Sequence, residues 1–210
     1  MKRILSLLLT MSMVLSFVGT TAFAADFDDI DGHWAESAIE RWSDYGVVNG
    51  VAEGTFAPDA NMTRAEMAQL YVNLLNLTEK ADISAFTDVP AGAWYAQSVD
   101  AMAAKGFLAG RSSTVFAPQD NLSYEEMTTI LSAISSWACM EGYAVADEPV
   151  PSSQQAAYSG LSTWAQAPAW RLSTLGVELD LSAPQAPATR DQAAHLICQF
   201  LQASGLLWNV

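Results

Sequence analysis

The 210-residue chain is about half apolar, contains seven tryptophans and carries a formal net charge of −14. A surface this acidic repels nucleic acid and anionic membranes, which argues against partners of either kind. The apolar content argues equally against a disordered acidic tail, because the chain can bury a sizeable core.

The N-terminus has the order of a secretory signal peptide. Lys2 and Arg3 precede an uncharged apolar run over residues 4–18, and small residues lead to Ala24. This order predicts export with cleavage after Ala24. A buried helix or a membrane anchor is the weaker alternative, because the run is short for a membrane span. We therefore expect an extracellular protein with residues 1–24 as its signal peptide.

Two cysteines, Cys139 and Cys198, are too few for a disulfide scaffold. Both fall in helical apolar patterns, where a thiol behaves as a small hydrophobic group. A single bridge between them is the alternative in an exported protein, since spacing does not show whether two sulfurs meet.

One sequence repeat occurs three times along the chain. Trp34, Trp94 and Trp164 are each followed twelve residues later by a glycine. Further on, the copies contain Phe56-Ala57-Pro58, Phe116-Ala117-Pro118 and Ser182-Ala183-Pro184. Apolar residues at helical spacing before and after these loops predict a helix, a loop and a helix in each copy. The chain is therefore predicted to be all-α.

Each helical pair has too small a core to stand alone, so the copies are expected to pack on one another. We place the first copy at residues 25–80, the second at 81–139 and a degenerate third at 158–210. Residues 140–157, which contain Pro149, Pro151 and two serines, are predicted to be an exposed linker. Pro168 is expected to delay the first helix of the third copy to about Ala167.

The second helix of each copy begins with a capping box, in which a hydroxyl residue is followed three places later by Glu or Gln. The predicted pairs of caps are Thr63 and Glu66, Ser123 and Glu126, and Thr189 and Gln192. The box does not explain Arg64 or Arg190, because a cation in the first turn opposes the helix dipole. Each arginine either pairs with a nearby carboxylate or forms an anion site together with free N–H groups of the helix.

The repeated tryptophans also have two interpretations. A tryptophan at helical spacing is typical of a core, and the alternative is an exposed apolar plate for a sugar ring. Asp29 and Asp88, which precede the first helices, either cap a loop or accept hydrogen bonds from sugar hydroxyls. The aspartates near residue 29 lack the ligand order of a calcium loop, so no metal site is predicted. Recognised catalytic and cofactor motifs are lacking, and we expect neither enzymatic activity nor a cofactor.

These motifs carry a resemblance to a known family. Residues 27–75 contain Phe-x-Asp, Gly-His-Trp, an Asn-Gly turn, Phe-x-Pro and Thr-Arg-Ala-Glu in one order, and they resemble the S-layer homology repeat. The second copy is similar, with Tyr124 in place of a basic residue, and the third is degenerate. The resemblance implies three repeats around a central three-helix bundle with pseudo-threefold symmetry.

The resemblance also implies binding grooves in the repeats. Carried over by position, the ligand-binding residues are Asp29, Trp34, Gly50 and Arg64 in the first copy, Asp88, Trp94 and Gly110 in the second, and Trp164 and Arg190 in the third. The second groove lacks a charged fork because it has Tyr124. The third has Gly160 in place of the aspartate. The expected order of binding is therefore first, third and second, and grooves between copies can also borrow residues from the next copy.

The resemblance finally implies a function, which is non-covalent attachment to the bacterial cell envelope. The expected partner is a secondary cell-wall polymer that ends in a pyruvylated amino sugar, whose carboxylate suits an arginine. An assembly factor that binds S-layer or other envelope proteins is the alternative, and an enzyme acting on wall glycans is a third hypothesis. Among these, we expect a wall-associated, carbohydrate-binding module.

Overall fold

The computed structural model describes residues 26–138 and 149–203. The predicted signal peptide and Cys139 lie outside the described residues. Within those ranges the chain forms seven helices and no strand, which confirms the all-α prediction. The helices are α1 (Glu36–Asp44), α2 (Arg64–Leu75), α3 (Ala96–Lys105), α4 (Tyr124–Ala138), α5 (Gln155–Tyr158), α6 (Thr163–Thr174) and α7 (Arg190–Ala203).

Each copy supplies two of these helices joined by a loop, as the apolar spacing predicts. In the first copy, Ala38, Ile39 and Trp42 form the buried face of α1. Gly46 has φ 67°, the left-handed conformation that ends a helix and that glycine adopts without steric cost. The pairs are α1 with α2, α3 with α4, and α6 with α7, and α5 lies at the end of the predicted linker.

The described residues form two compact bodies. The first contains residues 26–122 together with 187–191, and the second contains 123–138, 149–186 and 192–203. In the first body the largest side chains that are completely buried include Trp42, Phe56, Met67 and Tyr71. Their burial removes a large apolar area from water, at about 25 cal/mol per Å², and fixes α1 and α2 against their loop.

The second body has its own apolar core. Met127, Leu131 and Ile134 of α4 are completely buried, as is Leu172 of α6. A further cluster joins Val150, Tyr158, Leu161, Ala165 and Ala169. This second cluster anchors α5 to α6 and so ties the end of the linker to the third copy.

Pro168 lies inside α6 rather than before it, so the expected delay of this helix to Ala167 is wrong. The helix begins at Thr163. Because proline has no backbone N–H, Pro168 removes one intrahelical hydrogen bond. Ala165, Ala169 and Leu172 form a buried face on both sides of the proline. Packing of that face offsets the lost bond.

The residues just before three helix starts meet in one ring of backbone hydrogen bonds in the first body. Met62 N–H donates to Ala188 O at 2.8 Å, Ala188 N–H donates to Leu122 O at 2.7 Å, and Leu122 N–H donates to Met62 O at 2.9 Å. Each of these residues precedes the capping hydroxyl of its copy. The ring therefore brings equivalent positions of the three copies to one point.

Between residues 26 and 203, the described helices do not combine enough length and apolarity to cross a membrane.

Candidate functional site

Arg190, the first residue of α7, is bound to the loop of the first copy. Its Nε donates to Phe56 O at 3.0 Å and its Nη2 donates to Asn49 O at 2.6 Å. The guanidinium lies over the Phe56 ring, 4.5 Å from the centroid, and the residue is 7% exposed. Burial lowers the pKa of the guanidinium, and the carboxylates of Glu66 and Asp29 oppose that shift. The cation thus holds two loop carbonyls of another copy.

Arg64 makes the same contacts with the loop of the second copy. Its Nε donates to Phe116 O at 3.0 Å and its Nη2 donates to Ala109 O at 2.6 Å. The guanidinium lies 4.8 Å from the centroid of the Phe116 ring, and the residue is 3% exposed. Both arginines therefore link the start of one copy's second helix to the loop of a different copy.

The first-turn N–H groups at these helix starts are also occupied. Arg64 N–H donates to Asp120 O and Ala65 N–H to Pro118 O, each at 3.0 Å. Arg190 N–H donates to Ala60 O and Asp191 N–H to Pro58 O, again at 3.0 Å. The hypothesis that free N–H groups join each arginine in an anion site is wrong in this respect, because loop carbonyls already accept from those groups.

These contacts regroup the residues that the sequence assigned to each groove. Asp29 and Gly50 lie with Arg190, because Arg190 binds the loop that contains Gly50 and its charge lowers the pKa of Asp29. Asp88 and Gly110 lie with Arg64 in the same way. The sequence assignment, which grouped Arg64 with Asp29 in the first copy, is therefore corrected: in these two grooves the arginine comes from another copy.

Asp29 and Asp88 bind the backbone of their own loops. The Asp29 carboxylate accepts from Phe56 N–H at 2.8 Å and from Ala57 N–H at 2.6 Å. Asp88 accepts from Phe116 N–H at 2.9 Å and Ala117 N–H at 2.7 Å. Partial burial raises the pKa of each carboxyl, but donation by the two N–H groups outweighs it and leaves the pKa below its usual value. Both aspartates hold the Phe-Ala-Pro loops in place.

Tyr124 occupies the arginine position at the start of α4. Its hydroxyl accepts from Asp180 N–H at 3.2 Å, and burial raises the pKa of the phenol. The N–H groups of Tyr124 and Glu125 donate to Ala186 O and Pro184 O in the loop of the third copy. That loop has Ser182 where the other two have a phenylalanine. The groove without an arginine is therefore the one at the third loop, whereas the sequence assigned the loss to the second.

The three repeated tryptophans are exposed, so their interpretation as core residues is wrong. Trp34 is 58% exposed, Trp94 60% and Trp164 53%. Trp34 precedes α1 by two residues, and Trp94 precedes α3 by two, so helical spacing does not apply to their side chains. Exposed indole rings are the apolar plates that sugar rings stack on.

One groove in the first body gathers several of these residues. It has a volume of 490 Å³ and opens to solvent beside the loop of the first copy. Its polar lining contains Asn49, Glu66, Gln69, Asn73 and Arg190, and its apolar lining contains Trp94, Val51 and Phe56. Glu66 lies 3.5 Å from Nη1 of Arg190. The groove thus combines an aromatic plate, hydrogen-bonding side chains and a compensated cation, a combination that suits a saccharide.

Gly50 lines this groove, and no larger residue fits at its position. A Cβ on Gly50 would lie 2.6 Å from a ring carbon of Phe27 and 2.6 Å from Thr55 O. Gly110 is equally restricted, with Phe86 and Ser112 O each at 2.6 Å. Both glycines allow the loop backbone to pack closely on an aromatic ring.

The predicted caps have the following contacts. Glu66 N–H donates to the Thr63 hydroxyl, and the Glu66 carboxylate accepts from Thr63 N–H at 2.8 Å, which makes a complete capping box. Ser123 and Glu126 make the same two bonds. In the third copy the Thr189 hydroxyl donates to the Asp191 carboxylate, one residue before Gln192.

A cluster of His33, Asp59 and Asp191 also lies in the first body. His33 Nε2 is 3.7 Å from both Asp59 Oδ1 and Asp191 Oδ2. His33 Nδ1 accepts from Ala35 N–H at 3.2 Å, which leaves Nε2 to face the two carboxylates. The cluster thus sets one imidazole nitrogen against two carboxylates, of which Asp59 is exposed and Asp191 is buried.

Sequence reasoning missed Gln69, Asn73 and Ser98, which belong to the groove or support it. Ser98 Oγ donates to Gln69 Oε1 at 2.8 Å, and Gln69 Nε2 donates to Asn73 Oδ1 at 2.7 Å. The available signal was the spacing of Glu66, Gln69 and Asn73, which puts three polar side chains on one face of α2.

Comparison with known proteins finds a family model that matches two segments of the chain. The model of the S-layer homology domain matches residues 26–68 and 85–128. These matches contain the two loops whose carbonyl groups Arg64 and Arg190 bind. They do not include the third copy, which stays a prediction.

Relatives with similar sequence include a surface-layer protein, an exoglucanase and a cellulosome-anchoring protein. The chain is 38% identical to the surface-layer 125 kDa protein of Lysinibacillus sphaericus over 58% of its own length and 10% of that protein. It is 29% identical to exoglucanase XynX of Acetivibrio thermocellus over 90% of its length and 17% of that protein. It is 31% identical to the cellulosome-anchoring protein of Acetivibrio thermocellus over 50% of its length and 25% of that protein. The chain thus spans a quarter or less of each.

Proposed function

We propose that this chain is an exported module that attaches without covalent bonds to a glycan of the cell envelope. The observation that carries the proposal is the groove in which exposed Trp94 lies with Glu66, Asn73 and Arg190. This groove falls in a region where two segments match the S-layer homology domain. Relatives among surface-layer and cellulosome-anchoring proteins support attachment at the cell surface.

The ligand we propose is a secondary cell-wall polymer that ends in a pyruvylated amino sugar. Its sugar ring would stack on Trp94, and its carboxylate would approach the Arg190 end of the groove. Nε and Nη2 of Arg190 already bind loop carbonyls, which leaves Nη1, beside Glu66, for a ligand. Glu66 offsets most of the positive charge of Arg190. The carboxylate of the ligand is therefore expected to supply part of the affinity, and the sugar ring stacked on Trp94 the rest.

The three grooves are proposed to differ in strength. The loop of the first copy has Asp29, Gly50 and Arg190, and the loop of the second has Asp88, Gly110 and Arg64. The loop of the third copy has Tyr124 in place of the arginine and Gly160 in place of the aspartate. The proposed order is therefore first, second and third loop.

Catalysis is not part of this proposal. The match to the exoglucanase concerns 17% of that enzyme and carries no activity to this chain. The proposed role is binding, and the proposed location is the outer wall after cleavage of the signal peptide.

The test is co-sedimentation of the purified protein with wall polymer, before and after chemical removal of pyruvate. Binding that falls after removal supports the pyruvylated ligand. Equal binding to both preparations would refute the pyruvate and leave the glycan. Lack of binding to either preparation would refute attachment through the polymer.

The second candidate is an envelope-assembly factor that binds other surface proteins. The relative among surface-layer proteins and the net charge of −14 favour this role, because an acidic surface can select basic partners. Capture of defined surface-layer proteins in the absence of any wall polymer would support it. Capture that needs added polymer would refute it.

A further inference from the structure

One wall of the groove is a row of polar side chains on α2. Glu66, Gln69 and Asn73 follow one another at intervals of three and four residues, and all line the groove. Residues at this spacing lie on the same side of a helix. Seven residues advance about 10.5 Å along the axis, so the row is longer than one pyranose ring. The groove therefore has two ends with separate binding groups.

The Glu66 end of the row is charged. Glu66 is 3.5 Å from Arg190 Nη1, so a carboxylate and a guanidinium meet there. Asn73, two helical turns further on, is uncharged, as is Gln69 between them. An anionic group of a ligand suits the first end, and a neutral sugar suits the second.

Ser98 holds the first of the two amides in place. The Ser98 hydroxyl, on a residue only 2% exposed, donates to Gln69 Oε1. Gln69 presents its NH₂ group to Asn73, whose Oδ1 accepts at 2.7 Å. The Asn73 NH₂ group has two donors, and within residues 26–138 and 149–203 it donates no hydrogen bond. Because Asn73 lines the groove, these donors are available to a ligand.

The aromatic plate lines the same groove. Trp94 lies four residues before Ser98 in the sequence, ahead of the helix that contains Ser98. A sugar on the indole face can turn a hydroxyl, its ring oxygen or its acetamido oxygen toward the amide donors. Stacking and donation from a fixed amide together are a typical arrangement for a neutral sugar.

The equivalent positions in the other copies do not repeat this pair. In the second copy they are Thr129 and Ala133, and the Thr129 hydroxyl donates to Glu125 O in its own helix. In the third they are His195 and Gln199, an imidazole and an amide that meet at 2.6 Å, and Gln199 Oε1 accepts from Glu178 N–H. The amide pair is a feature of the first copy.

We propose that Gln69 and Asn73, positioned by Ser98, form a second subsite that takes an uncharged sugar adjoining the unit held at the Arg190 end. The subsite rests on the proposed function, because it extends the same groove. Its ligand is a saccharide with an acceptor oxygen toward the Asn73 NH₂ group and a ring face toward Trp94. The groove at the first loop would thus bind two adjoining sugars.

Calorimetric titration with two probes tests the subsite. The first probe is an N-acetylhexosamine with a cyclic pyruvate ketal, and the second is this unit linked to an unmodified N-acetylhexosamine. The wild type should bind the disaccharide about tenfold more tightly, as expected of one or two additional hydrogen bonds. Asn73→Asp replaces both donors by acceptors and should remove that gain, with the monosaccharide affinity changed less than about twofold.

Asn121→Asp is the matched control, because it adds the same charge at an exposed residue that does not line the groove. Gln69→Ala provides a second variant, and thermal unfolding followed by circular dichroism verifies that each variant is folded. Equal affinity of the wild type for both probes would overturn the subsite, as would equal behaviour of Asn73→Asp and Asn121→Asp. Loss of disaccharide binding in Trp94→Ala but not in Asn73→Asp would overturn the subsite alone. A wild type that binds neither probe would overturn the proposed ligand and the subsite together.

Discussion

The guanidinium of Arg190 lies 4.5 Å from the centroid of the Phe56 ring, although 134 residues separate them in the chain. Arg64 has the same relationship to Phe116 at 4.8 Å. A cation in the first turn of a helix costs about 0.3 to 1 kcal/mol. Charged hydrogen bonds to two loop carbonyls, each worth about 1.5 to 3 kcal/mol, offset that cost. Each arginine therefore joins two copies of the repeat, whether or not a ligand is bound.

Arg64→Ala should lower the free energy of unfolding by roughly 2 to 4 kcal/mol, because Phe116 O and Ala109 O lose a charged donor within a packed loop. Urea titration followed by tryptophan fluorescence measures the change. Arg111→Ala is the control, since Arg111 is 41% exposed and should change stability by less than about 0.5 kcal/mol. Similar losses in the two variants would contradict the link. Glycan binding of Arg64→Ala is to be compared with that of a Tyr124 variant only after correction for the folded fraction.

The caps were predictable from sequence because their chemistry is local. Thr63 and Glu66 are three residues apart, and both bonds of the box form within one turn. The partners of Arg64 were not predictable, because Phe116 lies 52 residues away in another copy. Repeats show which positions are equivalent, but the contacts between copies depend on how the chain folds back.

The tryptophans show a second limit of periodicity. The apolar pattern of the first copy correctly predicts Ala38, Ile39 and Trp42 as the buried face. Trp34 fits the same period but lies before the helix begins, so the period does not determine where its side chain points. The groove amides were missed for another reason: Ser98 holds Gln69 from the next copy.

Gly50→Ala should destabilise the protein by roughly 1 to 3 kcal/mol, because the added methyl group would overlap the Phe27 ring and Thr55 O. Thermal unfolding measures the effect. Gly92→Ala is the matched control, since a Cβ there meets no atom within 4 Å and no positive φ is required. A Gly92 variant as unstable as the Gly50 variant would show that close packing is not what requires Gly50.

Asp29→Asn should lower the free energy of unfolding at neutral pH by about 1 kcal/mol, because an amide replaces the charged acceptor of the Phe56 and Ala57 N–H groups. The loss is no larger because solvent reaches the Asp29 carboxylate and screens its charge. The pKa of Asp29 is lower in the folded chain than its unfolded value of about 3.9. Its contribution is therefore present above that value and is lost as the pH falls through the folded pKa. The stability difference between wild type and variant should shrink below about pH 4. A difference that stays constant from pH 7 to pH 2 would contradict this role.

Tyr124→Phe should cost about 1 kcal/mol, since Asp180 N–H loses its acceptor. Tyr124→Arg should cost more, because the loop of the third copy has Ser182 rather than a phenylalanine ring to receive a guanidinium. Chemical denaturation of both variants measures these changes. Tyr95→Phe is the control, because among the described residues the Tyr95 hydroxyl makes no hydrogen bond. An arginine variant as stable as the wild type would show that the third loop can accept the cation.

Trp94→Ala should weaken glycan binding by about tenfold while leaving the unfolding temperature almost unchanged. The indole is 60% exposed and lines the groove, so its removal takes away a stacking surface but little core. Tyr45→Ala is the matched control, because Tyr45 is an aromatic residue of similar exposure, 53%, that does not line the groove. Co-sedimentation with purified wall polymer, over a range of polymer concentrations, gives the two affinities. Equal affinities for the two variants would mean that general loss of surface aromatics, rather than this groove, controls binding.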